Sequence, residues 1–165
     1  MISDRIQTAF NEQIKNELES AYLYLSMAAY FHSVALHGMG QWMRVQAQEE
    51  IVHAMKLFDH IRDREGRVTL LPIAQLKTEW SSPLEAFEDS YKHEQFITSK
   101  INDLVNLARE ENDEPAGVLL QWFVKEQVEE EESASGNVRM LERAGDSREE
   151  LIAVDRELGR RTFSG

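Results

Sequence analysis

The sequence predicts an all-α fold: a four-helix bundle with one long crossover and a short fifth helix. Three observations lead there. Only 3 Pro and 8 Gly interrupt 165 residues, so long helices are expected. Apolar residues recur at helical spacing in four long segments. One connecting stretch, RVTLLPIAQLKTEWSS at residues 67–82, is too long for a tight turn.

Each element has its own signals. The first helix, over about 4–34, starts at the cap Ser3 and ends before LHG. The second, over about 39–64, stops at Gly66. At its rise of ~1.5 Å per residue it is on the order of 40 Å long. The crossover, at about 3.3 Å per extended residue, can span ~50 Å and so return to the start of that helix. The third helix, over about 83–112, opens with Ser82-Pro83-Leu84-Glu85, a capping box with Pro in the first turn. The fourth, over about 115–143, starts at Pro115 and closes at Gly145. Ser147-Arg148-Glu149-Glu150 opens a fifth over about 147–158. Two hairpins joined by one crossover make a crossover bundle, and residues 1–165 read as a single domain. Gly136 falls inside the fourth helix, where it costs about 1 kcal/mol relative to Ala.

The composition limits the partners. The chain has 18 Lys+Arg against 30 Asp+Glu and a formal charge of −12. Cations suit it and nucleic acids do not. Zero Cys excludes disulfides and thiolate sites and fits a reducing cytoplasm. No run reaches the ~18 apolar residues of a membrane span, and no signal-type apolar core follows the N-terminus.

Every long helix carries polar residues in its apolar stripe. Glu17 is in phase with Phe10 and Tyr24; Glu50 and His53 with Met43 and Leu57; Glu94 with Phe87 and Ile101; Gln127 and Glu130 lie between Phe123 and Ala134. A spacing of 77 residues separates Glu17 from Glu94, Glu50 from Gln127 and His53 from Glu130, and also Phe10 from Phe87. The hairpins are pseudo-repeats, so these groups meet at one level of the bundle. Buried carboxylates must be paired, protonated or metal-bound, and no Lys or Arg lies in phase with them. Carboxylates with one imidazole suit iron or manganese, and bridging carboxylates suit two ions. His53 alone would read as an ordinary core histidine; with four carboxylates at its level it reads as a ligand. His32, His37, His60 and His93, and the three Trp residues, read as packing or surface groups.

Four segments, NEQIKNELESAYLYLSMA, QAQEEIVHAMKLFDHI, YKHEQFITSKINDL and LLQWFVKEQVEEE, together resemble the bacterial and archaeal non-haem ferritins over nearly the whole chain. The polar layer is the known layout of ferritin-like di-iron proteins. The resemblance implies a cage, commonly of twenty-four subunits, that oxidises Fe(II) with O2 or H2O2 and stores ferric mineral. It places a first iron on Glu17, Glu50 and His53, and a second on Glu50, Glu94 and Glu130. Glu50 bridges, Gln127 stands nearby and Tyr24 hydrogen-bonds a ligand. Glu49, Glu126 and Glu129, with Glu130, match the third iron site of some prokaryotic members.

Two departures shape the expectation. The symmetric pattern has a second Glu-x-x-His, where this chain has Gln127-Val128-Glu129-Glu130. Bacterioferritins hold haem through a Met that is Val52 here, so no haem is expected. The resemblance also sets Leu151, Ile152, Val154 and Leu158 against other subunits, and Asp113 and Glu114 of NDEP are candidates for an iron entry pore. Two other readings compete: a rubrerythrin-like di-iron peroxidase, which zero Cys disfavours, and a non-catalytic helical interaction protein whose polar layer sets register.

Overall fold

Helix-capping residues divide the chain much as their chemistry dictates. The computed structural model describes all 165 residues. It has helices α1 (Asp4–Ser33), α2 (His37–Asp63), α3 (Pro83–Glu110), α4 (Glu114–Ala144) and α5 (Arg148–Leu158), and no strand. The side chains of Ser3, Ser82, Asp113 and Ser147 each accept a backbone N–H three residues on, at 3.0–3.3 Å. They satisfy amides that the first turn leaves free. The return half of the expected capping box falls one residue early: Glu85 accepts from the Ser81 N–H at 2.5 Å and its hydroxyl at 2.8 Å.

The α2 helix begins two residues before the sequence-based limit. Val34-Ala35-Leu36 makes the turn, with Ala35 at φ 61°. No side chain of its own caps α2. Asp155 of α5 does so instead, its Oδ1 accepting the Met39 N–H at 2.8 Å. The backbones nearly touch there: a Cβ on Gly38 would lie 1.7 Å from Asp155 O. Leu158 is buried, and Leu151 and Val154 pack on the adjoining core. The fifth helix thus finds a surface within its own chain. Of its large apolar residues, Leu151, Ile152, Val154 and Leu158, Ile152 alone is left exposed.

The crossover runs along α1 as its length allows. Asn11 bonds Arg67 O at 3.0 Å and the Thr69 N–H at 2.8 Å; Ser26 donates to Lys77 O at 2.7 Å. Trp80 then packs on Tyr30, ring centroids 5.5 Å apart. The third helix consequently starts beside the beginning of α2, where Phe87 meets Trp42 at 5.8 Å. α1 pairs with α2 and α3 with α4.

Two apolar clusters result, with residues from all four long helices in each. One includes Tyr24, Phe31, Met43, Phe87 and Leu141; the other Phe10, Leu57, Ile101, Leu120 and Phe123. The polar layer lies between them. Gly136 meets no such constraint: a Cβ there would come only within 3.7 Å of the flexible end of Arg139.

Candidate metal centre

Phase along each helix brings the polar residues together. Glu17 comes from α1, Glu50 and His53 from α2, Glu94 from α3, and Gln127 and Glu130 from α4, none more than 6% exposed. Their ligand atoms, joined by the half-buried Glu126, form three groups, each within 4.8 Å: Glu17–Glu50–His53, Glu50–Glu94–Glu130 and His53–Glu126–Glu130. Glu50 is shared by the first two, as two adjacent ions require of a bridge.

Each carboxylate is held by a side-chain hydrogen bond, and Glu17 alone keeps a buried oxygen without a partner. Gln13 Nε2 donates to Glu17 Oε1 at 3.2 Å, while Glu17 Oε2 is buried with no hydrogen-bond partner. Such an orphan is costly unless a ligand completes it. Gln46 Nε2 donates both to Glu50 Oε1 at 2.9 Å and to Glu130 Oε2 at 2.8 Å. Tyr24 donates to Glu94 Oε1 in a short hydrogen bond, and Gln127 Nε2 donates to Glu94 Oε2 at 3.2 Å. Gln127 also reaches Thr98 Oγ1 at 3.1 Å.

His53 sits at the centre of the charge balance. Its Nδ1 is 3.1 Å from Glu50 Oε2 and 3.9 Å from Glu17 Oε2; its Nε2 is 3.8 Å from Glu126 Oε1. Burial pushes the Glu17, Glu94 and Glu130 carboxyls well above the ordinary 4.5, and the Glu50 charge adds to the effect. Burial acts the same way on Glu50, but hydrogen bonds and charge from His53 outweigh it and lower this carboxyl. Burial disfavours the charged imidazole too; its bond to Glu50 outweighs that and raises His53. Without metal, His53 balances the charge of Glu50, and burial disfavours charge on the other three carboxyls.

Some expected residues lie elsewhere. Glu126 joins His53 and Glu130, but Glu49 and Glu129 enter none of the three groups. Glu49 is paired with Arg161 at 2.8 Å, and Glu129 is exposed. Asp113, one of the pore candidates, is already engaged by Arg64 at 2.8 Å and by its cap bond. Sequence reasoning missed Gln13 and Gln46. Each precedes its carboxylate by four residues on the same helix face, a spacing that marks a side-chain pair. Arg161 left no such signal.

Comparison with known proteins identifies the family of this fold. The family described as Ferritin-like domain matches residues 7–144. A bacterial non-heme ferritin of Bacteroides fragilis is 41% identical over 161 residues, covering 98% of this chain and all of that one. Its counterpart from Staphylococcus aureus is 35% identical over 163 residues, covering 99% and 98%. Crystal structures of an open pore ferritin from the archaeon Archaeoglobus fulgidus include one that superposes with a TM-score of 0.97 at 48% identity, covering 98% of this chain and all of that one.

Proposed function

The chain belongs to the ferritin-like domain family, and on that footing we propose that it stores iron, oxidising it at the buried carboxylate layer. One observation carries the reading: carboxylate oxygens from all four long helices converge around Glu50, with the Glu17 Oε2 left unpartnered. A layer that served only to set register would satisfy its own polar atoms.

In this reading two Fe(II) ions per chain are the substrate. Glu17, Glu50 and His53 hold one, and Glu50, Glu94 and Glu130 the other. Tyr24 and Gln127 act by holding Glu94. With O2, two Fe(II) give one electron each and two protons are taken up, yielding two Fe(III) and H2O2. With H2O2 the same two electrons and two protons yield two waters. Anionic oxygen ligands favour the higher charge of Fe(III) and so drive the oxidation. Water supplies the oxide and hydroxide of the mineral, so the protein needs no general base. A third, looser position lies at His53, Glu126 and Glu130. We further propose a closed homo-oligomer of twenty-four chains, in the cytoplasm, without haem. The acidic surface, at −12 per chain, favours cation uptake.

Anaerobic Fe(II) titration followed by air, with size-exclusion of the same sample, tests this. Two Fe(II) bound per chain, fast oxidation and iron eluting with a large assembly are expected. Failure to bind Fe(II) overturns the reading.

A further inference from the structure

Beyond α5 the chain turns back along α2. Gln41 Nε2 donates to Arg161 O at 3.3 Å. The Arg161 guanidinium lies over the Trp42 ring, 4.3 Å from its centroid, and Nη1 reaches Trp42 O at 3.5 Å. Its Nη2 donates to Glu49 Oε2 at 2.8 Å. A planar fork held by stacking, a carbonyl and a carboxylate has little freedom left. Further on, Phe163, Ser164 and Gly165 wall one side of a cavity of about 250 Å³; Glu49, His53, Trp122 and Glu126 face it.

This cavity borders the third ligand group. His53, Glu126 and Glu130 offer one imidazole and two carboxylates, a weak set for a hard cation that prefers more oxygens. Glu49 shares the cavity wall and could add one, but a guanidinium already occupies its Oε2. A cation that takes Glu49 must therefore either displace Arg161 or bind the other oxygen against the charge of the guanidinium.

We propose that Arg161 is a positioning residue that competes for Glu49: it keeps a cation at His53, Glu126 and Glu130 loosely held, and anchors the segment covering that cavity. The inference rests on the iron-oxidation reading and adds to it a control on how tightly iron is kept as it leaves the two-iron layer. Both partners are partly screened, with side chains 22% and 28% exposed. Releasing Glu49 is thus expected to tighten the weakest cation class by about two- to five-fold, the scale of a partly exposed ion pair.

Tb(III), a hard oxygen-seeking probe, reports this through emission sensitised by Trp122 and Trp42. It is titrated into the full chain as wild type, Arg161→Gln, Arg161→Lys, Glu49→Gln and the Glu49→Gln/Arg161→Gln pair. Arg161→Gln should tighten the weakest class, Arg161→Lys, which keeps the charge but not the stacked fork, should fall between Arg161→Gln and the wild type, and the Arg161→Gln effect should vanish on the Glu49→Gln background. Equal binding by wild type and Arg161→Gln overturns the proposal, as does an unchanged shift on the Glu49→Gln background. Anaerobic Fe(II) titration of the wild type separates the two failures. If it binds two Fe(II) while Arg161→Gln changes nothing, only the role of Arg161 falls; if it binds none, the iron-oxidation reading falls.

Discussion

Gln46 on α2 and Glu130 on α4 are joined across the bundle by a 2.8 Å hydrogen bond, and the same amide nitrogen holds Glu50 at 2.9 Å. One neutral donor thus orients two buried acids without adding a charge that would repel a cation. Replacing Gln46 by Leu removes the donor and leaves both acceptors desolvated. Metal-free stability should fall by about 1–3 kcal/mol, and Fe(II) should restore most of it by completing the same oxygens. Thermal melts with and without metal, under anaerobic conditions, check this. A loss that metal does not recover would mean Gln46 serves packing alone.

Removing Glu50 and His53 together tests the centre itself. Glu50→Ala with His53→Ala deletes the shared carboxylate and the one imidazole, so rapid Fe(II) oxidation should disappear. The bundle should persist, because deleting a buried ion pair as a pair is often neutral or stabilising. Stopped-flow oxidation beside circular dichroism decides; wild-type kinetics in a folded double variant would refute the assignment.

Protons should leave as metal enters. Glu17, Glu94 and Glu130 have raised carboxyl values, and His53 is raised as well. Fe(II) binding should therefore release protons, because each ligand must give up the proton that these shifts favour. The sign for stability follows from the same shifts. Acids whose folded values exceed 4.5 bind more protons folded than unfolded, so the metal-free protein loses stability as pH rises from 4.5 towards the folded values. Glu50 acts oppositely, its contribution being lost as pH falls through its lowered folded value. With three acids against one, the metal-free melting temperature should decline above pH 4.5, and metal should flatten that slope. Anaerobic pH-stat titration and melts across pH 5–8 test both statements; proton-neutral binding would refute the first.

Gly136→Ala should stabilise the chain by about 1 kcal/mol, the helix-propensity difference, since an added Cβ meets only the flexible end of Arg139 at 3.7 Å. Denaturant unfolding measures it. Destabilisation of the assembled protein but not of dissociated chains would instead place Gly136 against a neighbouring subunit.

Much of this architecture is written locally. Ser3, Ser82 and Ser147 mark helix starts because side-chain caps act within three residues, and Asp113, read from the sequence as a pore residue, caps α4 in the same way. Glu17, Glu50, His53, Glu94 and Glu130 were legible because phase and a common spacing of 77 residues are properties of the chain itself. The start of α2 was not legible, since its cap comes from Asp155, more than a hundred residues away. Nor was the Glu49–Arg161 pair: the segment after α5 has no periodicity, and only tertiary folding sets it on α2. The role of His53 as the positive partner of Glu50 likewise depends on a contact and its burial, whereas residue type reveals only that it can carry charge.

The division of the apolar core by the polar layer also bears on how the chain folds. Neither hairpin holds a complete core, because each cluster draws residues from all four long helices. Helices and hairpins can form early through contacts near in sequence, but burial on either side of the layer requires the hairpins to dock across the crossover, the longer loop to close. The metal-free acids then meet last, where they favour docking least. A newly made chain should therefore linger with its hairpins formed and the middle of the bundle ajar, and the first iron to arrive would speed its closure.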